Sequence, residues 1–557
     1  MLTYLTADPD NAAACRAALR RAVAEGIPAL LLCRRTTVFP DGQQDALLAA
    51  AEAAPQAALL AARVLPYGPE WPCDPVTLET ELAGPDGVLL RTAALTAAGG
   101  FDARLSGEAM AADLCWRLRG AGGKLLYCPS VTAWDKAADR PETAADYAGR
   151  TASAARLLAR YGRRADGAAL LWETLRAPKH FDGVRRTLLA ALPAAAAGSL
   201  CRRAPAAARA LADLSDGYGP RLGRCALLPF EEQPLVSIIV RTCDRADTLR
   251  ETLRCLRHQT YKNFEIVLIE DGAPTAQQMV QTEFADLPIR YHATGTRVGR
   301  GRAGNLGIEL AQGEYVSFLD DDDFYYPDFI ELHLAYLLNG PREGFVISSI
   351  MAFEVDVESR SPYVYTIRKR YPVIFDHITL MDMCVKCRIP MTGGMFRRSL
   401  YDVCGGMRED IDGDEDWAMW LRFWRTTHRA ANTPEVCRAV SMFGYPADPA
   451  KAAARLAAYE VYDEQMLADP TLVFDCTAEE IALWQRTVAA DAAHLAALGR
   501  QEELRDAAAK HPQAALPASD APVRQLTAQQ INRYYWYLAA QAVQGIPAAQ
   551  QEVPHAN

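Results

Sequence analysis

The stretch from Gly313 to Asp328 reads GEYVSFLDDDDFYYPD, so four carboxylates directly follow an apolar run that is typical of a buried strand. Adjacent carboxylates repel one another unless a cation neutralises them. A divalent metal that holds a diphosphate accounts for the run, because Mg²⁺ and Mn²⁺ prefer hard oxygen ligands. A solvated acidic turn is the alternative, but an acidic run after a buried strand marks the usual ligand edge of an α/β sheet. We therefore predict a metal and diphosphate site at Asp320–Asp323.

Two β-branched runs, Leu235–Val240 and Phe264–Ile269, precede this stretch and predict two further strands. A segment with helical periodicity lies between them. Strands that alternate with helices indicate a mostly parallel α/β sheet, whose ligands lie at the carboxyl ends of the strands. Thr242 and Asp244 follow the first run, and Asp271 follows the second.

A second acidic cluster, Asp412-Gly413-Asp414-Glu415-Asp416-Trp417, precedes an amphipathic segment. Acidic residues at the start of a helix also stabilise the helix dipole, and on its own that explanation would be sufficient. The cluster lies in the same domain as the metal-type run, however, and group transfer needs a general base separate from the metal ligands. We therefore interpret this cluster as the source of a base.

Gly299, Gly301 and Gly304 satisfy the G-x-G-x-x-G dinucleotide fingerprint, with Asp320 following at a tolerable distance. The fingerprint lies deep inside the domain rather than after its first strand, and a dinucleotide enzyme does not need four consecutive carboxylates. Dinucleotide binding is retained as a minor alternative.

Three segments together resemble the glycosyltransferases of family 2, which have a GT-A (Rossmann-like α/β) fold: Val236–Gly272, Gly304–Asp323 and Gly406–Phe423. They occur in the family's order and spacing, and the resemblance spans about residues 234–445. It implies an inverting enzyme with a nucleotide-sugar donor, a UDP-sugar being favoured, and Mn²⁺ or Mg²⁺ as cofactor. The implied acceptor is a glycan or lipid-linked hydroxyl, in the synthesis of a bacterial-type surface polysaccharide.

The resemblance also assigns roles to residues. Asp416 corresponds to the catalytic base, with Glu415 beside it, while Asp322 and Asp320 occupy the outer positions of the family's DxD metal motif. The residues that would bind the donor are Thr242, Asp244, Asp271, Arg302, Asn305, Asp320 and Asp321.

The chain departs from the family pattern at two places. It reads Arg241-Thr242-Cys243-Asp244 where the family commonly has Pro-Thr-Tyr-Asn, and Ala303-Gly304-Asn305 where the family commonly has Ala-Arg-Asn. Arg300 or Arg302 is expected to replace the missing arginine.

An internal repeat relates the N-terminal region to this domain. Gly26–Asp41 aligns without a gap to Gly313–Asp328, and Arg91–Phe101 aligns to Arg397–Met407. The first copy starts at about the third strand of the second, so we expect it to lack the nucleotide-binding half.

The repeat lacks the chemical groups of the second copy. Cys33-Arg34-Arg35-Thr36 stands where the second copy has its four aspartates, and Met110 and Ala111 stand in the positions of Glu415 and Asp416. Residues 1–140 are therefore predicted to form a degenerate, inactive GT-A-like domain that packs against the catalytic domain at 234–445.

The remaining segments, 141–233 and 446–557, read as a basic helical linker and a helical C-terminal region. The chain has 557 residues and a net charge of −10, whereas residues 150–224 carry fourteen Lys and Arg against five Asp and Glu. We expect the basic helices to lie on an anionic membrane surface, and a solvated linker is the alternative. The acidic average argues against nucleic acid as a partner.

The N-terminus lacks the basic and apolar pattern of a signal peptide. The fourteen cysteines are scattered, which favours reduced thiols in a cytoplasmic protein. The basic helices would make this protein peripheral at the inner face of the cell membrane. Two other functions are consistent with the residues. A non-catalytic glycan-binding or scaffold protein would not need Asp322 and Asp416, whereas a metal-dependent nucleotidyltransferase would form nucleotide sugar instead of consuming it.

Overall fold

The computed structural model describes residues 2–161, 168 and 230–544, except for breaks at 67–72, 103, 106, 138–143, 340–343, 361–362, 374–377, 388, 412, 428–430, 444–448 and 520. Most of the basic segment at 141–233 lies outside the described residues, so its predicted contact with a membrane stays a prediction. Among the helices within the described ranges, none combines the length and the apolar character that crossing a bilayer requires.

The N-terminal unit is a six-stranded mixed sheet with helices on its faces. Its sheet order is β1-β2-β5-β4-β6-β3. The strands are β1 Tyr4–Ala7, β2 Ala29–Leu32, β3 Thr37–Val38, β4 Ala57–Leu65, β5 Val88–Arg91 and β6 Lys124–Asp135, and the helices are α1 Ala12–Glu25, α2 Gln43–Ala53, α3 Thr92–Ala97, α4 Gly107–Gly120 and α5 Ala144–Arg160.

The central unit is a nine-stranded mixed sheet, in agreement with the predicted α/β class. Its strands are β7 Val236–Thr242, β8 Phe264–Glu270, β9 Ile289–Ala293, β10 Tyr315–Asp320, β11 Phe324–Tyr325, β12 Phe345–Arg360, β13 Tyr363–Val373, β14 Gly394–Arg397 and β15 Ala431–Phe443. Its helices are α6 Ala246–Arg257, α7 Gln277–Glu283, α8 Arg300–Leu310, α9 Phe329–Asn339, α10 Leu380–Val385, α11 Arg398–Cys404 and α12 Glu415–Thr427, with a 3₁₀ turn at Met391–Gly393.

Three parallel strands of this sheet place the candidate residues at one edge. β7 lies between β8 and β10, and all seven residues of β7 are buried, which explains its β-branched, apolar sequence. In the strand register Arg241 pairs with Asp320, and Thr242 pairs with Glu270. The carboxyl ends of the strands therefore bring Arg241, Thr242 and Asp320 together.

The two sheets share one topology. Read from β7, the central sheet continues β10-β14-β12-β15-β11, and the N-terminal sheet read from β1 continues β2-β5-β4-β6-β3. Each of the five successive strand pairs has the same sense in both sheets: parallel, antiparallel, antiparallel, parallel and antiparallel. β1 is thus the counterpart of β7, one strand more than the sequence comparison suggested. Within the described residues, the N-terminal sheet lacks counterparts of β8 and β9.

The N-terminal and central units contact each other through a buried ion pair. Arg63 on β4 lies 2.7 Å from Glu331 on α9, and the Arg63 side chain is only 4% exposed. In a second contact between the units, Nε2 of His258 is 3.0 Å from the carbonyl oxygen of Val76. A buried charge needs a partner to offset its desolvation, so the Arg63–Glu331 pair is a specific contact between the two units.

The C-terminal unit consists of four helices and a small antiparallel sheet. Its helices are α13 Pro449–Leu467, α14 Ala478–Ala497, α15 Gln501–Lys510 and α16 Ala528–Gln544, and its strands are β16 Val473–Thr477 and β17 Val523–Thr527. The buried side chain of Asn532 on α16 donates a hydrogen bond of 2.9 Å to the carbonyl oxygen of Cys384 on α10. The C-terminal unit therefore contacts α10, the helix of the central unit that precedes the 3₁₀ turn.

The glycines of the fingerprint serve packing between helix α8 and the loop that follows α11. Gly299 has φ +92°, a conformation that favours glycine. A Cβ at Gly301 would overlap the carbonyl oxygen of Arg408, and a Cβ at Gly304 would lie 2.5 Å from Sδ of Met407. These close contacts account for the glycine spacing without a dinucleotide.

Replacing Gly301 with alanine is expected to lower the free energy of unfolding by about 1–3 kcal/mol, because the added methyl group must displace the Arg408 backbone. Urea denaturation measures the change. The matched control is Gly120→Ala at the end of α4, where a Cβ meets nothing within 4 Å. That change is expected to stay within about 1 kcal/mol of zero. An equal effect of the two substitutions would contradict the packing explanation.

Candidate active site

A buried arginine joins the two acidic clusters that the sequence singled out. The Arg241 side chain is 7% exposed and lies 2.8 Å from both Asp320 and Glu415. Arg300, at the first position of α8, lies 3.6 Å from Asp320 and 4.0 Å from Glu415. Burial opposes ionisation of Asp320, but Arg241 and Arg300 outweigh it and lower its pKa to about 2. Asp320 is therefore a carboxylate at neutral pH.

A second arginine binds the middle of the acidic run. Arg245 lies 2.7 Å from Asp322, and its Nε is 3.1 Å from Asp321. The hydroxyl of Thr242 donates a hydrogen bond of 2.6 Å to the same Asp321 carboxylate. Burial raises the pKa of Asp321 to about 7, with Arg245 opposing the shift. Thr242 thus contacts the acidic run directly.

The four carboxylates of the run have two different environments. The side chains of Asp320 and Asp322 are 21% and 28% exposed, whereas that of Asp321 is 1% exposed and Asp323 is buried. The Asp323 carboxylate accepts hydrogen bonds from Ser441 Oγ at 3.2 Å and from the Met442 backbone N–H at 2.9 Å, and also from the Thr392 hydroxyl. Burial raises the pKa of Asp323 well above its usual value. Asp323 therefore ties neighbouring elements to the sheet edge. The carboxylates of Asp320 and Asp322 are partly exposed, and we call these two the outer carboxylates.

Asp416 lies in the first turn of α12, where the helix dipole favours a negative charge. The helix is held in place by buried Trp417, whose indole N–H donates to the carbonyl oxygen of Met383 at 2.5 Å. Burial and the adjacent Glu415 raise the pKa of Asp416 to about 7, while Arg300 and Arg241 oppose the shift. A carboxyl group that titrates near neutral pH is suited to general base catalysis.

Asp271 organises a loop beside the site. Its carboxylate accepts hydrogen bonds from the backbone N–H groups of Val298 at 2.6 Å and Gly299 at 3.0 Å, directly before α8. Asp244 is exposed and has φ +53°, an uncommon conformation for a residue other than glycine. Their predicted contacts with a nucleotide stay predictions.

Arg302 and Asn305 are directed to other partners. Arg302 pairs with Glu309 at 2.7 Å, and Asn305 donates to Glu409 at 2.7 Å and accepts from the Met407 backbone N–H at 2.9 Å. Of the two arginines expected to replace the family's missing one, Arg300 is the one that reaches the acidic clusters.

Arg241 and Arg245 were not among the predicted site residues. Arg241 entered the sequence analysis only as a departure from the family pattern. The sequence contained a signal for Arg241, because this residue directly follows the predicted strand Leu235–Val240, and parallel strands meet at their carboxyl ends. In the structure β7 pairs with β10, and Arg241 lies opposite Asp320. Arg245 carried no such signal, because the turn after β7 brings it to the run.

Metal ligation by protein groups alone is not supported in the described part of the chain, where no three His, Cys, Asp or Glu side chains are grouped to hold an ion. The outer carboxylates of Asp320 and Asp322 are hard oxygen donors at the partly exposed edge. They fit an ion that takes one or two carboxylates from the protein and the rest of its ligands from phosphate and water, as Mg²⁺ does.

Comparison with known proteins identifies part of the chain. Residues 237–405 match the sequence model of the family described as "Glycosyl transferase family 2". An uncharacterized glycosyltransferase of Rickettsia typhi is 30% identical over 199 residues, which cover 35% of this chain and 60% of that protein. The amylovoran biosynthesis glycosyltransferase AmsB of Erwinia amylovora is 30% identical over 105 residues, covering 18% of this chain and 35% of AmsB.

Solved structures give a weaker likeness. The mannosyltransferase PcManGT from Pyrobaculum calidifontis, in complex with GDP-Man and Mn²⁺, has 19% sequence identity and a TM-score of 0.32, with 42% of this chain and 64% of that chain covered. The chain spans about 60% of the length of the curated relatives that it matches first.

Replacing Arg241 with methionine is expected to lower the free energy of unfolding by about 3–5 kcal/mol, because Asp320 and Glu415 would lose their shared buried partner. Urea denaturation measures the loss. The matched control is Arg257→Gln, which breaks a surface pair with Asp286 and is expected to cost less than about 1 kcal/mol. Similar losses in the two variants would show that Arg241 does not hold the clusters together.

Proposed function

We propose that this protein is an inverting glycosyltransferase, because residues 237–405 match the sequence model of glycosyltransferase family 2. It moves a sugar from a nucleotide-sugar donor to a hydroxyl of a glycan or lipid-linked acceptor, in the synthesis of a surface polysaccharide. The observation that carries the proposal is the link through Arg241, which joins the outer carboxylate Asp320 to Glu415, the neighbour of the near-neutral carboxyl group of Asp416.

Asp416 acts as the base. In its ionised form it takes the proton from the acceptor hydroxyl while the acceptor oxygen attacks the anomeric carbon of the donor sugar. The bond between that carbon and the diphosphate oxygen breaks at the same time, and the nucleoside diphosphate leaves with the bonding electrons. One displacement inverts the anomeric configuration and needs no covalent enzyme intermediate.

The leaving diphosphate requires positive charge near the outer carboxylates. Arg300 and Arg245 supply it, because both guanidinium groups contact the acidic run and are partly exposed. Asp322 and Asp320 would hold Mn²⁺ or Mg²⁺, which when bound neutralises the developing negative charge of the diphosphate. A UDP-sugar is the donor favoured by the family resemblance.

The N-terminal unit is proposed to be a degenerate copy of the same fold that does not catalyse transfer. The shared strand order and pairing sense support a common origin. In α4 the positions of the acidic pair are taken by Met110 and Ala111, both buried. At the end of β2 the Arg34 backbone N–H and the Thr37 hydroxyl bind Asp86, so this edge is closed by its own hydrogen bonds.

Asp416→Asn is expected to lower kcat by about 10²–10⁴-fold and to leave donor affinity unchanged, because only the proton acceptor is lost. Asp322→Ala is expected to weaken Mn²⁺-dependent binding of the nucleoside diphosphate by about tenfold or more. Release of nucleoside diphosphate and isothermal titration calorimetry measure the two effects, with the exposed Asp402→Asn as control. Intact transfer in Asp416→Asn alongside its loss in Asp322→Ala would refute the base assignment.

The rate is expected to depend on pH in a defined direction. The pKa of Asp416 is raised to about 7 from the usual carboxyl value of about 4, and the base acts only when ionised. The value of kcat should therefore rise as pH increases through about 7, and the residual rate of Asp416→Asn should lack this rise. A rise centred near pH 4 in the unmodified protein would contradict the raised pKa of Asp416 or its assignment as the base.

A further inference from the structure

One aspartate of the C-terminal unit contacts two arginines beside the candidate active site. Asp469 lies in the turn that follows α13, and its side chain is 8% exposed. Its Oδ2 is 3.3 Å from Nη2 of Arg422 on α12 and 3.9 Å from Nη1 of Arg408 in the loop after α11. The family match ends at residue 405, so all three residues lie outside it. A single carboxylate thus joins the C-terminal unit to both segments.

The two oxygens of Asp469 have separate partners. Oδ1 accepts hydrogen bonds from the backbone N–H of Thr471 at 2.9 Å and from the Thr471 hydroxyl at 2.7 Å, whereas Oδ2 faces the arginines. Burial opposes ionisation of Asp469, but the hydrogen bonds from Thr471 and the charge of Arg422 outweigh it and lower its pKa. Asp469 is therefore a carboxylate at neutral pH, and its own turn orients it.

Arg422 connects α12 to the loop after α11 as well as to Asp469. Its Nη1 donates a hydrogen bond of 2.9 Å to the carbonyl oxygen of Gly406, while its Nη2 faces Asp469. Arg422 lies six residues after Asp416 on the same helix, which is about 9 Å along the helix axis. A helix is a rigid element over this distance, so a contact that fixes Arg422 also fixes Asp416.

Two further contacts reinforce this link. Nη1 of Arg425 on α12 donates a hydrogen bond of 2.5 Å to the carbonyl oxygen of Thr471, and Nη1 of Arg408 donates one of 3.3 Å to the carbonyl oxygen of Gln465 on α13. Arg408 also pairs with Asp410 and lies farther from Asp469 than Arg422 does. Arg422 is therefore the main partner of Asp469.

We propose that Asp469 is a positioning residue of the active site, which binds Arg422 and thereby holds α12, with the base Asp416, where transfer requires it. The inference rests on the proposed function, since it takes Asp416 to be the base. The outer carboxylates Asp320 and Asp322 are held by Arg241 and Arg245 instead. Asp469 therefore acts on the transfer step and not on donor binding.

Asp469→Asn tests the proposal, because asparagine has one side-chain oxygen where aspartate has two. The Thr471 N–H and hydroxyl retain that oxygen, and the NH₂ group that then faces Arg422 cannot accept a hydrogen bond. In the full-length protein, kcat for release of UDP from a UDP-sugar is expected to fall by about tenfold or more, because the base is misplaced. Affinity for UDP with Mn²⁺, measured by isothermal titration calorimetry, is expected to stay within about twofold.

The matched control is Asp506→Asn, an exposed position on α15 of the same unit, whose replacement removes the same charge. An equal kcat in Asp469→Asn and Asp506→Asn would overturn the proposal, and so would a loss of UDP affinity in step with kcat. Arg422→Lys is a second variant, because lysine keeps the charge but lacks the fork that reaches both Gly406 and Asp469. If Asp469→Asn does not fold, Arg422→Lys decides the question by the same two measurements.

Amide hydrogen exchange separates this proposal from the proposed function. In Asp469→Asn, exchange is expected to become faster in α12 and in residues 405–411 and to stay unchanged in β7 and β10, whereas Asp506→Asn should change neither. If no donor is consumed but this local change appears, the proposed function is wrong, and Asp469 links the C-terminal unit to α12 without a role in transfer. If donor is consumed and exchange in α12 is unchanged, the function stands and Asp469 does not position the base. Faster exchange throughout the chain would show a general loss of stability and would also overturn the proposal.

Discussion

The guanidinium group of Arg241 lies between Asp320 and Glu415, and this buried charge joins the two acidic clusters at the edge of the sheet. Carboxylates from two distant segments cannot be buried together unless a cation offsets their repulsion and desolvation. Arg241 does so from within a fully buried strand, so its position is fixed by the sheet and not by a flexible loop. The site is therefore preorganised before any ligand arrives, which is what electrostatic catalysis requires.

The four consecutive aspartates have two different roles, because two of their side chains are partly exposed and two are buried. Only Asp320 belongs to β10, and the turn after the strand carries the next aspartates, so the run does not present four equivalent ligands. Asp320 and Asp322 face the partly exposed edge, while Asp321 and Asp323 are bound by Thr242, Arg245 and the elements behind them. The inner pair thus belongs to the architecture that holds the outer pair.

The sequence was sufficient for features with a local or repeated pattern. The run Leu235–Val240 predicted the strand Val236–Thr242 to within two residues, and Phe264–Ile269 predicted Phe264–Glu270. Contacts between distant segments were not predictable in this way. Arg241 pairs with Glu415 across 174 positions of the chain, and no periodicity encodes that contact. The four-residue strand β1 was missed because so short an edge strand has too little alternation to be recognised.

The relation between the two sheets has a consequence for the solubility of the protein. In the central sheet β7 has seven residues and is covered by β8, whereas in the N-terminal sheet its counterpart β1 has only four residues and forms the edge of the described sheet. An uncovered strand of full length would offer a row of unpaired backbone groups on which another chain could add a strand, as in aggregation. The four residues of β1 offer little of that template. Within the described residues, the N-terminal sheet has a short β1 and lacks counterparts of β8 and β9, and together these two features leave a sheet that can end in water.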